Sequence, residues 1–362
     1  MLVFVVIFIL ILIVLQRKSL KNHNLAEIKY DYTVSKRVVE IGEKTEFVST
    51  ITNESRKFIP FVRTVEILPE AKVLNATLKL KKELSNREDF HYESTTFLTA
   101  RSKLIRHTEV VFEKRGVYLF KGATLFGGDL LGLRENNKKV KKYKTVVVYP
   151  RIIKSVKLDK LMGGLIGDLS VKRFIMEDPI LTIGTRDYTG REPLKQVSWK
   201  QTAKMNQLMV KQYDYTTELQ VSIILDVSYD ATLDDYLSDD IYESCYALTS
   251  TIVKILNHQK IPFEFMTNAI IEGNFENKKI STITQNLGSH HLSRVLELLG
   301  RGGYGAEGSF EDLMNAVKGN RTQNQSIIVI TSKRNKSKIK QAHDITDKTA
   351  RSVIMIYQED FD

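Results

Sequence analysis

The spacing of apolar residues changes partway along the chain, and this change limits the possible folds more than any other feature of the 362 residues. From Ile28 to about Pro150 apolar and polar residues mostly alternate, as in Lys44–Asn53, which is typical of half-buried antiparallel strands. From Glu218 onward short apolar runs alternate with stretches of helical spacing, which predicts a parallel α/β sheet. No single sheet type satisfies both patterns, so we expect an α+β chain with more than one domain.

The alternating region is long enough for a small antiparallel β-sandwich. Its candidate strands recur at short intervals, and seven or more of them are expected, as in an immunoglobulin-like fold. The single cysteine, Cys245, excludes an internal disulfide framework, and it leaves too few ligands for a zinc finger. Domains of this kind generally support or bind other molecules.

The chain begins with an apolar run, Met1–Leu15, that contains no polar side chain. As a helix it would span roughly 22 Å of a bilayer core about 30 Å thick. No basic residue precedes it and no small-residue cleavage site follows, so it differs from a secretory signal. Because Arg17, Lys18 and Lys21 follow directly, residues 1–20 are predicted to be a single-pass anchor in the cell membrane, with the bulk of the chain cytoplasmic. An alternative is that an earlier transmembrane helix is missing from the start.

Basic residues outnumber acidic ones by 54 to 43, which favours a negatively charged partner. Residues 134–160 contain ten Lys or Arg and only two acidic residues. This basic region is either a solvated face or a contact with anionic lipid head groups of the membrane. Nucleic acid is the least favoured partner, because the region offers few aromatic side chains for base stacking.

A cluster of oxygen-bearing side chains follows the first strand of the α/β region, in the five residues Asp226–Asp230, which read DVSYD. Parallel sheets bind ligands at the carboxyl ends of their strands, and Asp226, Ser228 and Asp230 at alternate positions could face one Mg²⁺ ion. Residues 212–253 contain nine acidic and no basic residues, which would attract a cation. The alternative is that Asp226 caps loop amides while the later carboxylates favour the N-terminus of the next helix.

This arrangement resembles the von Willebrand factor A domain, whose metal-ion-dependent adhesion site begins with D-x-S-x-S after its first strand. Asp226 and Ser228 match the first two positions, and Asp230 replaces a serine with another oxygen ligand. The family's threonine would fall in Arg301–Gly305, which has none, and its last aspartate would fall where this chain has Thr331-Ser332. The resemblance implies a Rossmann-like α/β domain and a metal-dependent adhesion function.

A second set of motifs lies between the two regions. Its ordered residues are Arg186, Tyr188, Gly190, Trp199, Lys200, Ala203 and Lys211. With Gly127–Leu133 and Val148–Arg151 upstream, it resembles the bacterial family catalogued as domain of unknown function 58, although Arg191 stands where that family usually has aspartate. The resemblance implies a cytoplasmic partner of the MoxR-type AAA+ ATPase class.

Trp199 is the chain's only tryptophan, and five basic residues surround it in sequence. It either anchors this segment in a core with the charges outside, or forms a cation–π or anion-binding surface. The composition favours the core anchor, because tryptophan is highly buried on average.

These observations predict four parts: an anchor (1–20), a β-sandwich (28–150), a linker carrying the family motif (151–215) and a von Willebrand A-like domain (216–362). No P-loop, H-E-x-x-H or G-x-S-x-G motif is present, so no catalytic residue is predicted. The leading hypothesis is a membrane-anchored, non-enzymatic interaction protein that works with a MoxR-type ATPase. The second is a Mg²⁺-dependent adhesion module using Asp226, Ser228 and Asp230, and the third is a hydrolase using the same acidic cluster.

Overall fold

A computed structural model of the chain describes residues 25–70, 72–73, 80–82, 90–128, 135–175, 178–214, 220–228, 239–273, 278–319, 325–349 and 352–361. The chain divides into two compact units between Pro150 and Arg151.

The prediction of an N-terminal transmembrane helix is wrong. Within the described ranges, no helix combines the length and the apolar character needed to cross a membrane. The predicted span, residues 1–20, itself lies outside those ranges. It depended on a 15-residue apolar run, and a spanning helix needs about 20 apolar residues. The predicted fold class is therefore wrong in its membrane anchor, and the predicted single-pass localisation in the cell membrane is wrong with it.

The described part of the first unit consists of ten strands and a short 3₁₀ helix, Leu25–Glu27. The strands are β1 (Ile28–Val34), β2 (Val38–Val39), β3 (Lys44–Asn53), β4 (Ile59–Leu68), β5 (Lys72–Val73), β6 (Leu80–Lys82), β7 (Phe90–Leu98), β8 (Lys103–Val111), β9 (Gly116–Gly128) and β10 (Glu135–Val148). They form two sheets, in the orders β1-β3-β8-β5 and β2-β10-β9-β4-β7-β6. All neighbours are antiparallel except β2 and β10.

Alternating side chains build the core between these sheets. Along β3 every second residue is buried, which places Phe47 and Ile51 inside. The Phe47 ring stacks on Phe120 of the other sheet with 5.5 Å between centroids. Where β9 and β10 shift register, Gly122 has φ +95°, and a Cβ there would collide with the carbonyl oxygen of Val140. Only glycine fits this position without strain.

The second unit begins with a long helix and a two-stranded ribbon, followed by the α/β region. Its helices are α1 (Val156–Ile175), α2 (Trp199–Met205), α3 (Asp239–His258), α4 (Ser289–Arg301), α5 (Phe310–Gly319) and α6 (Lys336–Thr349), with 3₁₀ helices at Leu194–Gln196 and Gln358–Asp360. Its strands are β11 (Asp178–Asp187), β12 (Met209–Asp214), β13 (Gln220–Leu225), β14 (Phe263–Thr267), β15 (Ala269–Ile271), β16 (Ser281–Asn286), β17 (Gly302–Ala306), β18 (Gln325–Thr331) and β19 (Val353–Tyr357).

Five of these strands form the main sheet, in the order β16-β14-β13-β18-β19, and only β16 runs antiparallel to its neighbour. The chain moves from β13 through α3 to β14 on one side, and from β18 through α6 to β19 on the other. Because such crossovers are right-handed, α3 and α6 cover opposite faces of the sheet. Leu225 pairs with Thr267 of β14 and Ile330 of β18, so these three strands end together at one edge.

Candidate functional site

Asp226 lies directly after β13 at this edge and is almost fully buried, with 1% of its surface exposed. Its amide N–H donates to the carbonyl oxygen of Ile330 at 2.9 Å, which continues the pairing of β13 with β18. Its Oδ1 accepts hydrogen bonds from the amide and hydroxyl of Ser228, at 3.0 and 2.6 Å. The carboxylate therefore caps the loop that follows its own strand.

Asn268, which follows β14, holds the neighbouring strand end against this loop. Its Nδ2 donates to Asp226 Oδ1 at 2.8 Å and to the carbonyl oxygen of Gly308 at 3.1 Å. Its Oδ1 accepts the amide N–H of Val227 at 2.9 Å. Asn268 is fully buried, so these hydrogen bonds replace the water that its amide group loses. Asn268 is not among the predicted site residues, although its place directly after a buried strand was a usable signal in the sequence.

The second oxygen of Asp226 faces a hydroxyl and an ammonium group. Oδ2 accepts hydrogen bonds from Thr331 Oγ1 at 2.9 Å and from Lys338 Nζ at 2.6 Å. Lys338 lies on α6, 112 residues along the chain from Asp226. Lys338 is not among the predicted site residues, yet it precedes the buried Ala342 and Ile345 by four and seven residues, which places it on the buried face of the helix.

The predicted metal ligands are brought together only in part. Asp226 and Ser228 are in contact, whereas Asp230 lies outside the described residues. Gly302–Ala306, which covers most of the glycine-rich stretch, forms β17 and pairs with β15. Thr331, where the adhesion family has its last aspartate, donates a hydrogen bond to Asp226 instead of supplying a carboxylate.

With the hydrogen bonds that they make, these residues do not accommodate a divalent cation. Mg²⁺ requires about six oxygen ligands in octahedral geometry. In the described parts of the chain, no group of three or more His, Cys, Asp or Glu residues could hold a metal ion. Both oxygens of Asp226 already accept hydrogen bonds, one of them from an ammonium group. The geometry therefore does not favour the predicted Mg²⁺ site.

The residues of the second motif come together on a small subdomain, which we call the motif hairpin (residues 186–211). Arg186 and Lys211 lie on β11 and β12, Gly190 lies in the turn after β11 with φ +87°, and Trp199, Lys200 and Ala203 lie on α2. Tyr188 follows β11, and its amide N–H donates to the carbonyl oxygen of Leu208 at 2.9 Å.

Buried side chains and backbone hydrogen bonds fix the motif hairpin. Val197 forms an isolated bridge with Val210, and both are buried. The Ser198 amide donates to the Met209 carbonyl oxygen at 2.8 Å, and the Met209 amide donates to the Thr202 hydroxyl at 3.0 Å. The orientation of α2 is therefore set without any of its own residues being buried.

An ion pair closes the turn of the hairpin. The Thr189 hydroxyl donates to Glu192 Oε1 at 2.8 Å, and the Arg186 guanidinium lies 2.6 Å from the same oxygen. These two hydrogen-bond donors lower the pKa of Glu192 to about 2. Glu192 therefore stays ionised at neutral pH and remains paired with Arg186.

The interpretation of Trp199 as a core anchor is wrong, because 63% of the residue is exposed. Leu194, Met205 and Leu208 on the same hairpin are exposed by 65%, 61% and 43%. The physical reason is that Val197, two residues earlier, supplies the buried contact of this segment. Trp199 is free to face outward at the first position of α2.

The same hairpin carries an excess of basic side chains. The motif hairpin contains six Lys or Arg residues and two acidic residues, Asp187 and Glu192. Glu192 is paired with Arg186, and exposed cations remain at Arg191, Lys195, Lys200, Lys204 and Lys211. The exposed surface of this subdomain is both apolar and positively charged.

No family model and no curated protein matches the chain. Similar solved structures include the CARDB domain of the PF1109 protein from Pyrococcus furiosus, with 12% identity and a TM-score of 0.23 over 33% of this chain and 91% of that domain. They also include a cohesin module of a family 33 glycoside hydrolase from Clostridium perfringens, with 15% identity and a TM-score of 0.24 over 33% and 96%. Likenesses this weak carry no argument, so the two family resemblances stay predictions.

Proposed function

We propose that this chain is a non-enzymatic protein-interaction module and that the motif hairpin is its contact surface. The exposure of Trp199 is the observation that carries the proposal. Soluble proteins rarely expose large apolar surfaces, and tryptophan and arginine are enriched among the residues that dominate binding energy. An exposed Trp199 on the same hairpin as three other exposed apolar side chains favours a partner over a purely structural role.

The charge of the motif hairpin selects the kind of partner. Five exposed cations lie on the same hairpin as the exposed apolar residues, so the complementary surface is both apolar and acidic. The resemblance to the domain of unknown function 58 family makes a MoxR-type AAA+ ATPase the first candidate. The alternative of Mg²⁺-dependent adhesion is less favoured, because both oxygens of Asp226 are already hydrogen-bonded.

The first test is the affinity of the purified chain for a MoxR-type ATPase from the same organism. Trp199→Ala should weaken binding by at least tenfold, as expected when a central tryptophan is removed from an interface. Lys195→Glu with Lys200→Glu should lower the association rate and its dependence on salt. Isothermal titration calorimetry and surface plasmon resonance would measure these changes.

Tyr143→Ala is the matched control, because Tyr143 is an aromatic residue of the first unit with 62% exposure. It should leave the affinity unchanged. If Trp199→Ala and the double charge reversal both bind as tightly as wild type, the motif hairpin is not the contact surface.

A further inference from the structure

The edge of the α/β sheet holds a buried negative charge that must be compensated. The Asp226 side chain has no exposed surface, and a buried carboxylate is strongly unfavourable unless a cation and hydrogen bonds accompany it. A bound metal ion and a protein cation are the two ways to supply that charge. The described residues around Asp226 show which one this chain uses.

All acceptor positions of the carboxylate are occupied. An ionised carboxylate offers about four lone-pair positions. Oδ1 accepts from the Ser228 amide, the Ser228 hydroxyl and the Asn268 amide group, and Oδ2 accepts from Thr331 and Lys338. These five donors leave no lone pair directed toward a metal ion.

The ammonium of Lys338 occupies the position that a cation would take. It lies 2.6 Å from Asp226 Oδ2 and 3.4 Å from the carbonyl oxygen of Ser228. The Lys338 Nζ also lies over the ring of Phe310, 5.6 Å from the ring centroid, which adds a cation–π contact. Because Mg²⁺ binds carboxylate oxygens at about 2.1 Å, an ion on the same side of Oδ2 would overlap with Nζ.

We infer that the ammonium of Lys338 is the resident cation of this site, in place of a divalent metal ion. The lysine belongs to the same chain, so its local concentration does not depend on the ions in solution. It also joins α6 to the end of β13, so the charge that neutralises Asp226 holds a helix on the sheet. The inference is independent of the proposed contact surface on the motif hairpin.

The inference predicts how the full-length wild-type chain responds to Mn²⁺. After treatment with EDTA, isothermal titration calorimetry should show no saturable binding up to about 1 mM free ion, the weak end of protein cation sites. One-to-one binding of Mn²⁺ that is lost in Asp226→Asn would overturn the inference.

Removal of the ammonium should create a response to metal. Lys338→Met keeps the unbranched apolar stem of the side chain without its ammonium group, which leaves Asp226 without a counter-charge, so the melting temperature of the variant should fall. Mn²⁺ should then raise it, since a ligand that binds only the folded state stabilises that state. The double variant Asp226→Asn/Lys338→Met is the matched control, and Mn²⁺ should not change its melting temperature.

A Lys338→Met protein that folds but gains no stability from Mn²⁺ would contradict the assignment of the ammonium to the cation position. If Lys338→Met does not fold, Lys338→Arg retains the positive charge, and the inference requires it to fold without responding to Mn²⁺. The titration of wild type against Asp226→Asn then decides between a metal ion and the lysine.

Discussion

The buried carboxyl groups of Asp226 and Glu66 are stabilised in opposite ways. Asp226 is paired with an ammonium group and receives several hydrogen bonds. Glu66 on β4 is also fully buried, and its Oε1 accepts a hydrogen bond from the Tyr30 hydroxyl at 3.0 Å. Burial raises the pKa of Glu66 above its usual range, and the positive charge of Arg106 only partly opposes this. Burial therefore favours the protonated form of Glu66 more than it would for an exposed glutamate.

The stability of the first unit should consequently depend on pH. Glu66 in the folded state keeps its proton above pH 4.5, where the unfolded chain releases it, so the free energy of unfolding falls as the pH rises from 4.5 toward the raised pKa. Each unit by which the pKa of Glu66 differs between the folded and unfolded states changes the free energy of unfolding by up to about 1.4 kcal/mol. Glu66→Gln should remove this slope and be more stable than wild type at pH 8.

Hydrogen exchange of peptides from β1 and β4, measured between pH 4.5 and 8 and corrected for intrinsic exchange, would follow this unit. The matched control is Glu93→Gln, because Glu93 lies on neighbouring β7 and is partly exposed in an ion pair with Arg63. The same slope in wild type and Glu66→Gln would show that another group causes the pH dependence.

Individual residues also show where reasoning from sequence reaches its limit. Asp226 and Ser228 could be identified, because their position after a buried strand is a local feature. The partner of Asp226 could not be chosen among the many lysines of the chain, because the contact with Lys338 joins residues 112 positions apart. Trp199 was assigned to the core from composition alone, and only the packing of Val197 shows that it faces outward.

Secondary-structure elements were predictable where local chemistry defines them. The alternation in residues 44–53 corresponds to β3, and α5 begins directly after Ser309, a residue type that commonly caps helices. There Ser309 and Asp312 each accept the other's backbone N–H, at 3.1 and 3.0 Å, which forms a capping box. The helix α1 was missed because its sequence contains Gly163, Gly164 and Gly167, and glycine disfavours helices by about 1 kcal/mol each.

The register shift between β9 and β10 leads to a prediction at the scale of one element. Gly122→Ala places a Cβ against the carbonyl oxygen of Val140 at positive φ, so both strain and steric overlap oppose folding. We expect the free energy of unfolding to fall by more than about 2 kcal/mol, because backbone strain and overpacking both contribute. Urea unfolding followed by far-ultraviolet circular dichroism would measure it.

Gly42→Ala is the matched control for the backbone term. Gly42 also has positive φ, at +78°, but a Cβ there would meet nothing within 4 Å. Gly42→Ala should lower the free energy of unfolding by about 1 kcal/mol, because only the left-handed backbone conformation opposes the new Cβ. If both variants lost the same free energy of unfolding, the contact with Val140 would not contribute to the effect of Gly122→Ala.

At the scale of the whole molecule, some of the excess basic residues make structural contacts and others are exposed on the surface. In the first unit Lys138 donates to the carbonyl oxygen of Ile28 at 2.8 Å, and Lys142 forms an ion pair with Asp31, so two lysines of the basic region hold β1. On the motif hairpin the cations are exposed instead. Net charge alone could not distinguish these roles, because it counts residues without their contacts.

The division of the chain into two units makes a final prediction about the location of binding. The motif hairpin lies entirely in the second unit, which begins at Arg151 and contains more than half of the chain. A fragment of residues 151–362 should therefore fold and bind the acidic partner with the affinity of the full chain, within about threefold. This ratio corresponds to less than 1 kcal/mol of binding free energy.

The fragment should show cooperative unfolding by far-ultraviolet circular dichroism, and its binding should be unchanged by EDTA, because Lys338 supplies the cation at the sheet edge. A fragment of residues 25–150 is the control and should not bind. If the second unit folds but loses the affinity, the first unit contributes to the contact surface and the motif hairpin is insufficient. If it keeps the affinity and loses it again in Trp199→Ala, the contact is confined to the second unit.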